Sequence, residues 1–340
     1  MRAIEIRRHG GPEVLAVRES ADPTPGPGEI RVRVAAAGLN FADVMARMGL
    51  YPDAPKPPSV VGYEASGTVD LLGAGVTTFA PGDRVVALTR FGGQADVVCV
   101  PAAQLRKIPA SMSFEQAAAI PVNYLTAFHM LHRVANARPG MKVLVHMAAG
   151  GVGQAAIQLL KRVPDITIIG TASASKHDTI RGWGVTHAID YRTTDYAAEV
   201  RKLTDNRGVD IVLDALGGDD WKKGYELLAP AGHLVAFGFA NMRGGSTRNL
   251  FRVVSQFFDV PKFSPLELMD KNRAVSGVNV GHLWSEIAML GAELDELLVM
   301  FEKGEISPHI DSTHLFSKAA DAHARLEERK NVGKVLLIPG

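Results

Sequence analysis

The chain is short of cysteine and of any excess charge. Among its 340 residues Cys99 is the single cysteine, so no disulfide can form within the chain, and we expect a reducing, cytosolic compartment. The 37 basic residues nearly balance the 36 acidic ones. This balance gives no electrostatic reason to expect nucleic acid or an anionic membrane as a partner.

Long apolar runs are missing as well. No stretch of about 18 apolar residues occurs, so we expect no membrane-spanning helix. The first residues, MRAIEIRRHGG, lack the apolar core of a signal peptide. The pattern from Leu283 to Phe301 contains four acidic residues, which is typical of an amphipathic or core helix. Hydrophobic residues still make up 46% of the chain, and its length predicts about two domains.

Two patterns of secondary structure divide the chain. The first 120 residues alternate β-branched stretches with turns such as PTPGPGE and PDAPKPP, which predicts a compact, partly barrel-like β domain. After a helix capped by Ser113, helices alternate with predicted strands at 142–146, 166–171, 187–190, 209–216 and 232–238. This alternation predicts a doubly wound parallel sheet. The aromatic tract 240–272 shows no regular pattern, and we interpret it as a lid or an interface segment.

A glycine-rich turn follows the first of these strands. In KVLVHMAAGGVGQAAIQLLK (142–161), Ala148, Gly150 and Gly153 have the spacing of the dinucleotide fingerprint, with alanine replacing the first glycine. Gly150 would let the backbone approach a pyrophosphate, and Gly153 would let the helix pack close to its strand. The helix N-terminus would attract the anion. The alternative is a tight turn without a ligand, but the strand–helix context favours a dinucleotide site.

The end of the next strand favours NADP over NAD. An NAD site places Asp or Glu about 20 residues after the glycines, whereas this chain has GTASASK (170–176) there. The hydroxyl of Ser173 and the ammonium of Lys176 suit a 2′-phosphate. We therefore predict NADP(H) as the cofactor, with a merely solvated Lys176 as the alternative.

The chain resembles the medium-chain dehydrogenase/reductases in six ordered segments: GLNFADVMARMGLY (38–51), VVGYEASGTV (60–69), APGDRVVAL (80–88), SFEQAAAIPVNYLTAF (113–128), HMAAGGVG (146–153) and NVGKVLLIPG (331–340). The resemblance covers nearly the whole chain. It points to the zinc-free quinone oxidoreductase branch, and within it to the vesicle amine transport protein homologues. It implies an α/β fold, with a Rossmann NADP-binding domain (123–282) and a GroES-like, partly open β-barrel catalytic domain (1–122 and 283–340).

The resemblance also bears on metal binding. Zinc alcohol dehydrogenases have a cysteine where this chain has Asn40 and a histidine where it has Tyr63, and their structural zinc uses four cysteines. We therefore expect no metal site. Without that Lewis acid, hydride transfer to quinones or α,β-unsaturated carbonyls remains feasible.

The site residues are implied by the same resemblance. Asn40 would lie near the nicotinamide, with a plain turn residue as the alternative. Tyr51 is a candidate proton donor, because Met45 stands where related quinone reductases have a tyrosine, although no general acid need be essential. Asp43 is expected to hold backbone. The implied cofactor-binding residues are Asn40, Thr126, Met147, Ala149, Gly150, Gly151, Val152, Ser173, Lys176, Tyr191, Leu216, Phe237, Phe239 and Asn331.

Together these observations predict a cytoplasmic, zinc-independent, NADPH-dependent oxidoreductase that reduces quinones or enones. The alternative is an NADPH-binding interaction or membrane-peripheral protein with little turnover, as the vesicle-associated relatives suggest. The chain offers no basic amphipathic helix for membrane binding. The family usually extends its sheet across a dimer through an edge strand, here 274–280, which implies a homodimer.

Overall fold

The computed structural model describes residues 1–241 and 260–340. The chain divides into two units, one formed by Met1–Leu125 with Val280–Gly340 and the other by Thr126–Asn279. These limits fall a few residues from the expected boundaries at 122/123 and 282/283. Within the described ranges, every helix is too short or too polar to cross a bilayer.

The strands, in chain order, are β1 (Arg2–Ile6), β2 (Leu15–Glu19), β3 (Glu29–Leu39), β4 (Ser59–Val60), β5 (Glu64–Leu72), β6 (Arg84–Leu88), β7 (Val97–Pro101), β8 (Leu105–Lys107), β9 (Lys142–Val145), β10 (Thr167–Ala172), β11 (His187–Asp190), β12 (Val209–Asp214), β13 (Leu228–Ala236), β14 (Ala274–Gly277), β15 (Ile310–Leu315) and β16 (Lys334–Ile338). The described helices are α1 (Phe41–Met48), α2 (Phe114–Ala118), α3 (Pro121–Phe128), α4 (Gly151–Leu160), α5 (His177–Trp183), α6 (Tyr196–Leu203), α7 (Asp219–Glu226), α8 (Pro265–Lys271), α9 (Ile287–Glu302) and α10 (Ala319–Glu327).

The first unit is built around the long strand β3. The main sheet has the order β15-β16-β3-β5-β6-β8, and β7 also pairs with β3. All pairs except β15–β16 are antiparallel. Alternate residues of β3, such as Ile30, Val32 and Val34, are buried in the core, as the period of a strand requires. A second, three-stranded sheet has the order β2-β1-β4.

The second unit contains the predicted parallel sheet. Its order is β11-β10-β9-β12-β13-β14, and all its pairs are parallel. Val143, Leu144 and Val145 in β9 are all fully buried, because helices cover both faces of such a sheet. The strand order reverses at β9, between β10 and β12. In this topology the carboxyl ends of the strands at the reversal form the ligand crevice.

The structure confirms one local prediction and shortens two predicted strands. The Ser113 cap is confirmed, since its Oγ accepts the Gln116 N–H at 3.2 Å. The strand predicted over 209–216 ends at Asp214, because the Asp214 carboxylate accepts the N–H groups of Leu216 (2.6 Å) and Gly217 (3.0 Å) and turns the chain. The edge strand predicted over 274–280 is limited to β14.

The tract 240–272 is less irregular than its sequence suggests. It contains α8, which begins after Ser264, whose Oγ accepts the Glu267 N–H at 3.2 Å. The Lys271 ammonium pairs with Glu267 at 3.1 Å one helical turn away. The middle of the proposed lid or interface segment, 242–259, lies outside the described residues.

Candidate cofactor and catalytic site

The turn between β9 and α4 leaves no room for a side chain at Gly153. Gly150 precedes the helix and donates its N–H to the Met147 carbonyl oxygen at 2.8 Å, while Met147 takes a left-handed φ of 52°. A Cβ on Gly153 would lie 2.5 Å from the Met147 oxygen and 2.7 Å from the Ala148 oxygen. The first N–H groups of α4, from Gly151 onward, have no partner inside the helix. Together with the helix dipole they form a site for an anion such as pyrophosphate.

The end of β10 carries no carboxylate toward a ribose. Ser173 is buried, with its Oγ 3.4 Å from the Ser175 Oγ, and Lys176 closes the following turn half-buried. Asp178, the nearest acid after the strand, is fully exposed and pairs with Arg181 at 3.2 Å. The polar groups at this strand end are therefore the Ser173 hydroxyl and the Lys176 ammonium, which suit a 2′-phosphate.

Aromatic residues lie at the ends of the outer strands. Tyr191 follows β11 with 41% of its surface exposed, and the Arg192 guanidinium lies 6.0 Å from its ring. Phe239 follows β13 and is 38% exposed. Such large exposed rings at a ligand crevice suit stacking on a cofactor.

The loops after β12 and β13 lie against each other. Phe237 donates its N–H to the Asp214 carbonyl oxygen at 2.9 Å. A Cβ on Gly217, next to Leu216, would come within 2.8 Å of the Phe239 Cα. The structure thus gathers most of the predicted cofactor-binding residues at the carboxyl edge of one sheet: Met147, Ala149, Gly150, Gly151, Val152, Ser173, Lys176, Tyr191, Leu216, Phe237 and Phe239. Thr126 lies half-buried on α3.

The sequence reading missed a buried polar group under these strand ends. The His146 ring nitrogen Nδ1 lies 3.0 Å from the Thr171 Oγ1, and the ring packs edge-on against Tyr196 at 4.8 Å. Burial lowers the pKa of His146 and raises the pKa of Asp214. A titratable residue at the end of an apolar strand is the signal that could have found both, because such groups are costly to bury without partners.

In the first unit, Asn40 lies between β3 and α1. Its backbone N–H donates to Asp43 Oδ2 at 2.8 Å, so Asp43 holds the helix start, the role expected of it. Asp43 is completely buried, and that burial raises the pKa of its carboxyl to about 7.

The Asn40 side chain belongs to a buried network that sequence reasoning also missed. Its Nδ2 donates to Glu64 Oε1 at 2.8 Å, and the Lys334 Nζ donates to Asn40 Oδ1 at 2.7 Å and also to Glu64 Oε1. The Val122 N–H donates to Glu64 Oε2 at 2.7 Å. Glu64 and Lys334 each begin a strand with apolar neighbours, and a charge in such a position is a sequence signal for a buried pair.

Tyr51 belongs to a separate aromatic group. Its ring packs edge-on against Tyr63 at 6.3 Å, and Tyr63 contacts Phe91 at 5.3 Å. Burial, with Asp43 nearby, raises the pKa of the Tyr63 hydroxyl. Asn331 donates its Nδ2 to the Gly333 carbonyl oxygen at 3.0 Å and so holds the turn before β16. The proton-donor role of Tyr51 and the cofactor contact of Asn331 stay predictions.

Metal ligands are not grouped in the part of the chain that the structure describes. Over 1–241 and 260–340, no three His, Cys, Asp or Glu side chains are arranged so that they could hold an ion. Asn40 and Tyr63, which stand at the positions of two zinc ligands of the related alcohol dehydrogenases, lie in the network and the aromatic group described above.

Comparison with known proteins identifies the family. Residues 26–110 match the family model for the alcohol dehydrogenase GroES-like domain, and residues 183–337 match the one for zinc-binding dehydrogenases. The chain is 46% identical to the human synaptic vesicle membrane protein VAT-1 homolog over 342 residues, covering all of this chain and 87% of that protein. It belongs to the medium-chain dehydrogenase/reductase family.

Other members of this family extend the likeness. A quinone oxidoreductase of Pseudomonas aeruginosa is 36% identical, with 99% of both chains covered. The crystal structure of the Escherichia coli quinone oxidoreductase complexed with NADPH superimposes with a TM-score of 0.88 at 32% identity, covering both chains completely. The expected fold, a GroES-like domain with a Rossmann parallel sheet, is thereby confirmed.

Proposed function

We propose that this medium-chain dehydrogenase/reductase is an NADPH-dependent oxidoreductase whose acceptors are quinones or α,β-unsaturated carbonyls, reduced without a metal ion. The observation that carries the proposal is the pairing of a glycine turn at the reversal point of the sheet with a strand end that has Ser173 and Lys176 but no acid. Two quinone oxidoreductases among its relatives, one of them solved with NADPH, support the same reading.

The residues of the second unit fit NADP(H). The N-terminus of α4 suits the pyrophosphate, and Ser173, Lys176 and Arg192, which follows Tyr191, are proposed to hold the 2′-phosphate. When bound, the reduced cofactor supplies the hydride. The protein supplies the binding surfaces, the orientation of the reactants and the exclusion of water.

In the first unit, Asn40 is the proposed polar contact to the reacting oxygen. An amide NH₂ carries two hydrogens, and one of those on Asn40 Nδ2 is used by Glu64. The second hydrogen can be donated to an oxygen that gains negative charge as hydride arrives, which stabilises that charge. A reduced quinone or an enolate can take its final proton from water, so Tyr51 is a proposed but not an essential donor.

The test combines cofactor binding with turnover. Purified protein is titrated with NADPH and with NADH by nicotinamide fluorescence, and NADPH consumption is followed with an ortho-quinone, a para-quinone and a simple enone. We expect NADPH to bind more tightly than NADH and at least one acceptor to be reduced. Preference for NADH would contradict the cofactor assignment, and tight NADPH binding without turnover of any acceptor would contradict the proposed reaction.

An alternative is a membrane-peripheral protein with little turnover. The human relative is named for a synaptic vesicle membrane, and α8 exposes two apolar side chains one turn apart, Leu266 at 77% and Met269 at 71%. Co-sedimentation with vesicles of phosphatidylcholine and phosphatidylserine tests this reading. Binding that is lost in Leu266→Ser/Met269→Ser would support it, and the absence of binding would rule it out.

A homodimer is part of the proposal. Strand β14 forms one edge of the described six-stranded sheet, with β13 as its neighbour on the other side, and an edge strand can pair with a second copy. Light scattering tests the assembly, and a monomer would contradict it. The cytoplasmic location rests on the single cysteine and stays a prediction.

A further inference from the structure

We infer that Lys334 and Glu64 are positioning residues that hold the Asn40 carboxamide in one of the two orientations related by exchange of Oδ1 and Nδ2. In this orientation Nδ2 presents a fixed hydrogen-bond donor to the reacting oxygen. This inference rests on the proposed function, since Asn40 is its proposed contact to the acceptor. It adds two residues, distant in the sequence, that would act on turnover through Asn40.

The orientation of the amide is decided by the charges on either side of it. Asn40 Oδ1 accepts from the Lys334 ammonium at 2.7 Å, and Asn40 Nδ2 donates to the Glu64 carboxylate at 2.8 Å. A flipped amide would place its NH₂ against the ammonium and its oxygen against the carboxylate. Both contacts would then be repulsive, because an ammonium has no acceptor and an ionised carboxylate has no donor.

Strand register places these three side chains together. Strand β3 pairs with β16 through Leu39 and Val335, and with β5 through Ala37 and Ala65. Asn40, which directly follows β3, therefore lies near the first residues of both neighbouring strands, Lys334 and Glu64.

A glycine makes room for the network. A Cβ on Gly38 would lie 2.6 Å from the Glu64 Cγ, so the Glu64 side chain can lie across β3 only because that position has no side chain. The second oxygen of the carboxylate, Oε2, is held by the Val122 N–H. Both oxygens of Glu64 thus have protein donors, and the carboxylate cannot turn away from Asn40 without losing them.

The network is almost closed to water. Glu64 is fully buried, Lys334 is 2% exposed and Asn40 is 7% exposed. In such surroundings hydrogen bonds to charged groups hold a side chain strongly, and removal of one partner leaves an unpaired buried charge. Any test must therefore remove both charges together.

A double variant with neutral side chains of similar size, Lys334→Met/Glu64→Gln, tests the inference. The matched control is Arg31→Met/Asp70→Asn, which removes a different ion pair of the same sheet, between β3 and β5, with N···O at 2.7 Å. We expect the first variant to lower kcat at least about tenfold, because a donor that is misoriented for part of the time stabilises the transition state less. Its Kd for NADPH should change by less than about threefold, since the lost interaction acts mainly in the transition state. The control should keep the kcat of the natural protein.

A second measurement does not depend on turnover. The side-chain NH₂ signals of Asn40 in ¹H–¹⁵N NMR spectra, assigned by their loss in Asn40→Asp, should be distinct and slow to exchange in the natural protein. They should move and exchange faster in Lys334→Met/Glu64→Gln but not in the control. Unchanged signals and unchanged kcat in that variant would each overturn the inference. If the natural protein reduces no acceptor, the proposed function fails while the NMR result still decides whether the amide is held.

The Asn40→Ala variant covers the case in which the double variant does not fold. It removes the amide donor without placing a second carboxylate against Glu64. We expect a loss of kcat of about a hundredfold, the usual effect of removing one such donor. Activity close to that of the natural protein would show that Asn40 does not act as a donor, and the inference would be wrong.

Discussion

The glycine turn gives the sharpest prediction, because the same substitution at two glycines of the second unit should have opposite effects. Gly153 lies in the first turn of α4 and Gly182 lies in α5. A Cβ on Gly153 would meet two backbone carbonyl oxygens at 2.5 and 2.7 Å, whereas ordinary contacts begin near 3.4 Å. A Cβ on Gly182 would meet nothing within 4 Å.

These distances set the expected magnitudes. In Gly153→Ala the start of α4 must move away by nearly the difference between these two distances and an ordinary contact of 3.4 Å. The backbone oxygens cannot rotate away as a side chain can. Such overpacking typically costs about 1–3 kcal/mol of the free energy of unfolding. In Gly182→Ala the exposed helix gains stability, by up to about 1 kcal/mol, because alanine has the higher helix propensity. A shift of the α4 N-terminus by about 1 Å should also raise the Kd for NADPH at least about tenfold.

Urea unfolding and NADPH fluorescence titration measure both quantities on the two variants. The expected outcome is a destabilised protein with weak NADPH binding for Gly153→Ala, and a slightly stabilised protein with unchanged binding for Gly182→Ala. If Gly153→Ala unfolds and binds NADPH like Gly182→Ala, the close approach of α4 to the β9 turn does not determine the cofactor site, and the reasoning is refuted.

Further predictions concern single residues and metal. The pKa of Asp43 in the folded protein, about 7, lies above its ordinary value of 3.8. The contribution of the protonated Asp43 carboxyl to the free energy of unfolding is therefore largest below pH 4 and is lost as the pH rises through 7. Asp43→Asn should remove this pH dependence, worth up to about 4 kcal/mol, from the unfolding free energy measured across that range; an unchanged slope would contradict the assignment. Lys176→Ala should raise the Kd for NADPH at least about tenfold, through loss of a charge-assisted contact, and leave the Kd for NADH unchanged; an equal effect on both cofactors would refute its role at the 2′-phosphate. Tyr51→Phe should lower kcat less than about tenfold, because water can supply the proton; a larger loss would make Tyr51 an essential acid. Incubation with a chelator should leave turnover unchanged, and a loss restored by zinc would overturn the metal-free reading.

Much of the fold could be predicted from local patterns. The continuous apolar strand 142–145 and its glycine turn can each be recognised within a few residues, so the parallel sheet followed from the sequence. The strand order, and with it the reversal at β9, became visible in the structure. The helices α1, with eight residues, and α8, with seven, were not predicted, because about two turns are too few for a repeating pattern to be recognised.

The buried network around Asn40 shows why the rest of the candidate site could not be predicted. Asn40, Glu64 and Lys334 come from three separate segments, and strand register brings them together. The hydrophobic pattern of a strand shows which of its faces is buried. The pattern does not show which other strand pairs with it in the sheet. The family resemblance pointed to Asn40 because a zinc ligand is missing there, whereas the partners that orient its amide became visible in the structure.

The central claim is that hydride passes from NADPH to an activated carbonyl acceptor at this site, and isotope transfer tests it most directly. The protein is incubated with a simple enone and NADPH that carries deuterium at both hydrogen positions of the reactive ring carbon, and the product is analysed by mass spectrometry. The account predicts one deuterium in each reduced product molecule, with turnover unaffected by a chelator and reduced in Asn40→Ala. Reduced product without deuterium, or no product with enone and quinone acceptors despite tight NADPH binding, would contradict it.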